Sequence, residues 1–321
     1  MTEQASETTV CIVPRERFSC AIDSLQSIID NTHPSVKCVY VDANSPSVIA
    51  EKLAALCDAN GYTYLREERY LAPNQARNIA LDHVTTRYVV FVDNDLFVTP
   101  GWLDYLVECA DQTGAWAVGP IIMEGSEKLS VIHMAGGDLI EERVGSFNRV
   151  RQRHRHMFST LSDARDRLVR EPVGSFEFHC VLVRTDVFPQ RRFLDESFLA
   201  LQEHLDLARE IRLAGGEVYF EPRSIVRYDT ARKFEDYDRE YFELRWSKDW
   251  SDRSIEHTRE KWELGPEDMG LKRLAQWTEK HRELFARSQT PWTVHVLPII
   301  ARKKVANWLR RRNIIPEREI H

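Results

Sequence analysis

Two aspartates separated by one residue close a strongly apolar stretch of the chain, RYVVFVD at 87–93. Asp93 and Asp95, with Asn94 between them, reach the same volume if the chain turns directly after a buried strand. Carboxylate oxygens are ligands that Mg²⁺ and Mn²⁺ prefer and commonly share with phosphates. A diphosphate leaving group needs such neutralisation of charge. The alternative is a polar turn that only ends a strand, where Asp and Asn are common.

A second group of reactive side chains lies at 203–206, where the sequence reads Glu-His-Leu-Asp. A histidine changes charge near neutral pH, which makes His204 a reasonable general base. Glu203 is the alternative base, and Asp206 is either a third candidate or a residue that orients its neighbours. A polar helix start is the remaining interpretation, because acidic residues suit the N-terminal end of a helix.

The elements that must position these residues alternate between strand and helix patterns. Apolar runs at 9–13, 36–42 and 87–93 predict strands, and helical spacing at 19–31 and 74–83 predicts helices. Such alternation is typical of an α/β protein with a mostly parallel sheet. Ligands of these sheets bind at the carboxyl ends of the strands, where Asp42 and Asp93 both lie.

The second half of the chain is less regular. A helix is predicted over 198–214, with Gly215-Gly216 ending it. The Arg- and His-rich segment 149–170 is interpreted as a mobile surface segment. We expect an α/β domain over 1–235 and a helical extension over 236–321 with a basic, amphipathic end.

Composition excludes some classes of protein. The net charge of −6 argues against a nucleic-acid binder. Six scattered cysteines are typical of a reduced, cytoplasmic protein. The polar N-terminus is unlike a signal peptide, and the sequence has no apolar run long enough for a membrane span. The basic end at 291–321 either contacts anionic lipid on the inner face of the membrane or is a solvated helix.

Five segments, in order, resemble the family 2 glycosyltransferases of the GT-A fold. The resemblance runs from about residue 9 to 230 and is carried by TVCIVPRERFSCAIDSLQSI, VKCVYVDANSP, NQARNIALDHV, VVFVDNDLFVTPGWLDYLVE and FLDESFLALQEHLDLAREIRLAGGEVYFEP. It implies a GT-A (Rossmann-like) sheet flanked by helices, followed by the helical extension.

The resemblance also implies roles for the residues of the donor site. Pro14 and Glu16 would wall the nucleobase, and Asp42 would accept a hydrogen bond from an imide N–H of the base, unless it only forms an Asx-turn. Arg77 would lie near the nucleotide and diphosphate, unless it is a surface arginine paired with Asp82. Asp93 would lie near the ribose and the metal, together with Asn94, and Asp95 would be the direct metal ligand.

The chain departs from the family pattern at two positions. The family carries an aspartate base where this chain has His204, so the base is His204, Glu203 or Asp206. Many relatives carry a metal-binding histidine where this chain has Tyr228, so that either Asp229 substitutes or the metal relies on Asp95, diphosphate and water. His133 and His179 would line the acceptor pocket, or are ordinary core or surface histidines.

The implied activity is metal-assisted, inverting transfer of a sugar from a nucleotide-sugar donor to a hydroxyl. UDP-sugars are favoured as donor, Mn²⁺ or Mg²⁺ as cofactor, and a glycan, lipid-linked or small molecule as acceptor. One alternative is a degenerate GT-A domain that only binds nucleotide-sugar, glycan or a partner. A nucleotidyltransferase is disfavoured, because the loop VPRERF has no glycine.

Overall fold

The structure is a computed structural model that describes residues 7–285, so the basic segment at 291–321 lies outside the described residues. The strands are β1 Thr8–Val13, β2 Lys37–Ala43, β3 Thr63–Glu67, β4 Tyr88–Asp93, β5 Leu96–Val98, β6 Ala117–Gly125, β7 Ser130–Ala135, β8 Gly137–Val144, β9 Phe147–His154, β10 Glu171–Val173, β11 Cys180–Arg184 and β12 Val218–Tyr228. The helices are α1 Ala21–Asn31, α2 Ser47–Ala59, α3 Pro73–Leu81, α4 Trp102–Thr113, α5 Leu161–Ala164, α6 Glu203–Leu213, α7 Arg239–Arg245, α8 Lys248–Lys261 and α9 Met269–His281.

A ten-stranded sheet forms the centre of the fold, with the strand order β10-β12-β6-β11-β4-β1-β2-β3 along its main path. The strands β3, β2, β1 and β4 run parallel, as the alternation of elements predicts. β11 enters antiparallel between β4 and β6, and β12 pairs in parallel with β6. The α/β prediction is confirmed, and the second half of the sheet is of mixed direction.

Helices cover both faces of this sheet, which explains why its central strands are apolar at every position. In β1, the side chains of Val10 and Ile12 pack into one hydrophobic cluster with residues of α1, α2 and α4. Cys11 and Val13 point to the other face and pack with residues of α3 and α6. The carboxyl ends of β1 and β4 are aligned, with Val13 opposite Asp93.

The catalytic candidates lie at the start of α6, which is shorter than the sequence predicts. The prediction of a helix from 198 is wrong at its beginning, since α6 begins at Glu203 after Gln202, whose φ of 70° is left-handed. Its end is as predicted. Gly215 has a φ of 82°, and the N–H groups of Gly215 and Gly216 donate to the carbonyls of Arg212 and Ile211.

The segment 149–170 is not the mobile surface segment that its composition suggested. Most of β9 lies in it and pairs with β8 along the whole length of both strands. Arg153 and Arg155 form ion pairs with Asp138 on β8, so that the charged residues of this segment stabilise a hairpin. Within residues 7–285, every helix is too short or too polar to span a lipid bilayer.

Candidate active site

Hydrogen bonds of Asn94 connect the loop after β1 to the end of β4. Its Nδ2 donates to the carbonyl of Arg17 over 2.9 Å, and its Oδ1 accepts from the backbone N–H of Arg15 over 3.3 Å. Its own N–H donates to the carbonyl of Val13. Asn94 therefore places two arginines beside the aspartates that precede and follow it.

Asp95 is fully buried and contacts Arg17, whose Nε lies 3.3 Å from Oδ2. Nη2 of the same arginine donates to the carbonyl of Asp229 over 2.8 Å, and its guanidinium lies over the rings of Tyr228 and Phe234. Burial raises the pKa of Asp95 to about 7, because the charge of Arg17 and its neighbour Arg15 only partly offsets the loss of water.

Asp93 receives positive charge or a hydrogen bond on both carboxylate oxygens. Nη2 of Arg77 lies 3.2 Å from Oδ1, while Nε of Arg15 and Nδ1 of His179 lie 3.5 and 3.2 Å from Oδ2. Burial acts to raise the pKa of Asp93, but His179 and the two arginines outweigh it and hold that pKa below its usual value. Arg77 is buried rather than paired with Asp82, and its guanidinium stacks over Phe178 at 3.9 Å.

Glu16 is fully buried, and the C-terminal helices contact it. Its carboxylate accepts hydrogen bonds from the hydroxyl of Tyr228 and from Nε1 of Trp246, and Arg15 lies 3.3 Å away. Pro14 is buried beside it, and its carbonyl accepts from Tyr241 over 3.3 Å. Together with Asp93, Asp95, Arg15, Arg17 and Arg77, Glu16 forms what we call the carboxylate–arginine cluster.

Asp42 is the next-to-last residue of β2, and its carboxylate is hydrogen-bonded by the turn that follows and by β3 and its end. Its carboxylate accepts from the N–H and the hydroxyl of Ser45, from the hydroxyl of Tyr64 over 2.7 Å and from Arg66. Asp42 thus bonds the backbone N–H three residues on rather than two, which is not an Asx-turn, and no side chain of the described residues caps the start of α2. Oδ1 carries one of these four bonds and Oδ2 three, so Oδ1 has the greater remaining capacity to accept a hydrogen bond.

The residues around Asp95 fit a divalent cation at one oxygen. Asp95 Oδ1 is buried and has no hydrogen-bond partner among the described residues, as suits a ligand atom for a hard cation. The hydroxyl of Tyr228 donates to Glu16, and Asp229 accepts hydrogen bonds from Arg227 and from backbone N–H groups. A cation would therefore be held by Asp95 and phosphate oxygens, a limited protein set of the kind that Mg²⁺ sites use.

The three candidate bases at the start of α6 have different partners. Glu203 is buried and pairs with Arg245 over 3.1 Å. Asp206 accepts from Lys261 over 2.7 Å and from Nε1 of Trp262 over 3.1 Å, which ties α6 to α8.

His204 has acceptor oxygens as its described partners. Its Nε2 lies 3.4 Å from Glu177 Oε1 and 3.4 Å from Gln152 Oε1. The side chain of His204 is 17% exposed, so part of it is in contact with solvent.

Histidines from four elements lie together beside the carboxylate–arginine cluster. His133 of β7 contacts the rings of His154 and His179 at 5.2 and 5.5 Å between centroids, and His154 Nε2 lies 3.0 Å from Glu177 Oε1. Burial lowers the pKa of His154 and of His179, which favours neutral rings. We call His133, His154, His179, His204 and Glu177 the imidazole cluster, and His179 joins it to Asp93.

Four residues of the site were not found from the sequence. Arg15 and Arg17 lie in the VPRERF loop, where the family resemblance points only to Pro14 and Glu16. His154 belongs to the segment that its composition predicts to be mobile, and Glu177 lies two residues before His179, outside the predicted site. A signal was available for the arginines, since two cations directly after β1 would meet the acids after β4.

Comparison with known proteins identifies the family. The family model described as glycosyl transferase family 2 matches residues 9–190, more than half of the chain. No curated protein sequence matches the chain significantly.

Solved structures share the fold at low identity. GalNAc-T7 with UDP, GalNAc and Mn²⁺ aligns with a TM-score of 0.51 and 18% identity over 86% of this chain and 55% of that one. TarS residues 1–349 of S. aureus, in complex with UDP-GlcNAc, aligns with a TM-score of 0.51 and 13% identity over 90% and 76%. The chain thus spans about half of the GalNAc-T7 chain. Both neighbours are GT-A glycosyltransferases, which confirms the expected fold, and the match of the family model to most of the sheet shows that this chain belongs to glycosyl transferase family 2.

Proposed function

We propose that this protein transfers a sugar from a nucleotide-diphosphate sugar to a hydroxyl group with inversion at the anomeric carbon, and that His204 is the general base. UDP-sugars are the favoured donors, and the acceptor is a glycan, a lipid-linked molecule or a small molecule. The observation that carries the proposal is the contrast at the start of α6. Glu203 and Asp206 are each paired with a basic side chain, whereas the described partners of His204 are acceptor oxygens.

The reaction is a single displacement. His204 accepts the proton of the acceptor hydroxyl, whose oxygen then bonds to the anomeric carbon as the bond from that carbon to the diphosphate oxygen breaks. The departing nucleoside diphosphate keeps the electron pair. Most of the rate enhancement would come from positioning and from charges that are already in place.

The carboxylate–arginine cluster would serve the donor. Arg15 is its most accessible arginine, with a side chain that is 15% exposed, and it can turn towards a diphosphate without leaving the first loop. Mn²⁺ or Mg²⁺ at Asp95 would supply further neutralisation of the leaving group. Pro14, Glu16 and Asp42 would bound the nucleobase, and Asp93 and Asn94 would hold the loops around the ribose.

The test compares three variants in a nucleotide-sugar turnover assay over a donor and acceptor panel. His204→Gln is expected to lower kcat by about 100- to 10,000-fold, because the reaction loses its proton acceptor. Glu203→Gln is expected to lose less than about tenfold, because Gln keeps an acceptor for Arg245. His33→Gln, at an exposed histidine far along the chain from α6, is the control. Equal losses for His204→Gln and Glu203→Gln would contradict the assignment of the base.

The cation is tested separately. Turnover is measured for the unmodified protein with Mn²⁺, for the unmodified protein with EDTA, and for Asp95→Asn. We expect EDTA and the substitution each to lower it. Full activity in both would exclude a cation at Asp95. Tight binding of UDP without turnover on the whole panel would instead favour a domain that only binds its ligand.

A further inference from the structure

The imidazole cluster contains a group of potential metal ligands that is separate from Asp93 and Asp95. We propose that His133, His154 and Glu177 bind a transition-metal dication of the Zn²⁺ class. These three residues come from β7, from the end of β9 and from the segment before β11. They are far apart in the chain, and the sheet and its hairpin bring them together.

The distances within this group suit a single ion. One ligand atom from each residue lies within 4.8 Å of the others, and His154 Nε2 is 3.0 Å from Glu177 Oε1. Ligand atoms that bind zinc at about 2.0–2.2 Å in a tetrahedral site lie roughly 3.5 Å from one another. Small side-chain rotations therefore close the group around an ion.

The buried imidazole of His154 supplies an independent reason to expect a ligand. Its side chain is 4% exposed, and neither ring nitrogen has a hydrogen-bond partner among the described residues. The contact of Nε2 with Glu177 is close but does not have hydrogen-bond geometry. Buried polar atoms almost always form hydrogen bonds, so a buried ring whose Nδ1 has no partner and whose Nε2 has only this close carboxylate contact indicates a missing ligand. An ion bound to His154 would satisfy one of its ring nitrogens.

The surrounding residues add features of a metal site. Glu124 Oε2 lies 3.3 Å from His133 Nδ1, the carboxylate–imidazole contact that commonly orients a ligating histidine and leaves Nε2 free. His133 is about one-fifth exposed, which gives an ion a path from solvent. Three protein ligands leave a fourth position open for an exchangeable molecule.

The ligand types indicate which ion would bind. Two imidazoles and one carboxylate suit Zn²⁺, Co²⁺ or Ni²⁺, whereas Mg²⁺ and Mn²⁺ prefer oxygen ligands alone. Asp95 offers one carboxylate oxygen without a hydrogen bond in the described chain, so it favours Mg²⁺ or Mn²⁺ over Zn²⁺. The two sites can therefore be distinguished by the ion that each retains, whatever reaction the protein catalyses.

The test measures metal content and needs no activity assay. Full-length protein is treated with chelator, loaded with Zn²⁺ in the presence of excess Mg²⁺, dialysed, and analysed by mass spectrometry for bound metal. We expect one Zn²⁺ per chain, and we expect Co²⁺ loading to give the visible absorption of a low-coordinate nitrogen–oxygen site. His154→Gln and Glu177→Gln should each weaken Zn²⁺ binding by at least about tenfold.

Controls separate this site from the donor site and from unfolding. Asp95→Asn and His33→Gln should bind Zn²⁺ as the unmodified protein does. His133→Gln changes the most exposed of the three ligands, so it provides a folded variant if the buried substitutions do not fold. Absence of stoichiometric Zn²⁺ in the unmodified protein, or retention of it in His133→Gln and His154→Gln, would overturn the proposal.

Discussion

The two polar clusters that meet at Asp93 and His179 differ in how their charges are balanced. In the carboxylate–arginine cluster, Arg15, Arg17 and Arg77 each lie against at least one buried acid. In the imidazole cluster, one glutamate faces several imidazoles, and a buried ring has no hydrogen-bond partner in the described chain. In the first arrangement every charged side chain lies beside an opposite charge, although Asp95 Oδ1, Arg15 Nη1 and Arg77 Nε form no hydrogen bond within the described chain. In the second, one carboxylate is shared by His154 and His204, and neither ring nitrogen of His154 forms a hydrogen bond within the described chain.

The contrast indicates that the carboxylate–arginine cluster stabilises the fold more than the imidazole cluster does. Buried ions are stable only with partners, so removing one partner from a completed pair leaves a charge without compensation. Replacing an imidazole that forms no hydrogen bond in the folded state should lower the free energy of unfolding only slightly. We therefore expect folding to depend strongly on the arginines and weakly on His154.

The largest effect is expected for Arg17→Ala. It would leave the Asp95 carboxylate buried without its cation and remove the hydrogen bond to the carbonyl of Asp229. The free energy of unfolding, measured with urea, should fall by about 3–5 kcal/mol. Lys248→Ala, which breaks an exposed pair with Asp252, is the control and should cost under about 1 kcal/mol. If both variants lose equally little, the cluster is not the folding element that we infer.

An intermediate effect is expected from Asp195, which ties the segment before α6 to α8 through His257 and Lys261. Burial acts to raise the pKa of Asp195, but these partners and the N–H of Ser197 outweigh it and lower that pKa to about 2. Because the folded-state pKa is depressed, the stabilisation is present above the unfolded-state pKa of about 4 and is lost as the pH falls through about 2. The side chain is partly exposed, so screening limits the contribution to roughly 1–2 kcal/mol.

The measurement compares the free energy of unfolding of the unmodified protein with that of Asp195→Asn from about pH 6 to about pH 2. This range covers the unfolded-state pKa of Asp195 and extends to its folded-state pKa. The difference between the two proteins should shrink by roughly 1–2 kcal/mol as the pH falls. A constant difference over this range would show that the ion pairs of Asp195 do not contribute to stability.

The smallest effect is expected for His154→Gln in chelator-treated protein. The imidazole of His154 forms no hydrogen bond within the described chain, and a glutamine amide can take its place beside the Glu177 carboxylate, so the free energy of unfolding should change by about 1 kcal/mol or less. Added Zn²⁺ should raise the Tm of the unmodified protein and leave that of the variant unchanged. A loss as large as that of Arg17→Ala would show that His154 is already paired in the folded protein, and would remove the contrast between the clusters.

Much of the donor side could be predicted from the sequence. Apolar strands followed directly by Asp42 and Asp93 predict that these carboxylates lie at one edge of a parallel sheet, because parallel strands end on the same side. The end of α6 was predictable for a similar reason, since Gly215 takes a left-handed conformation that other residues adopt at a cost. These features depend on neighbours in the chain, and a local pattern is enough to reveal them.

Local patterns in the sequence are enough to predict the order of the first strands and acids along the chain, and five ordered motifs point to the family that the comparison confirms. The packing of the folded chain, by contrast, brings Arg17 against Asp95, 78 residues away, and pairs Glu203 with Arg245 while His204 faces acceptor oxygens. The same packing brings β9, the segment before β11 and α6 together, so that His154 and His204 both contact Glu177. The physical reason is that partners of buried charges are selected by packing between distant elements, and nothing in the local spacing of residues records which elements will meet.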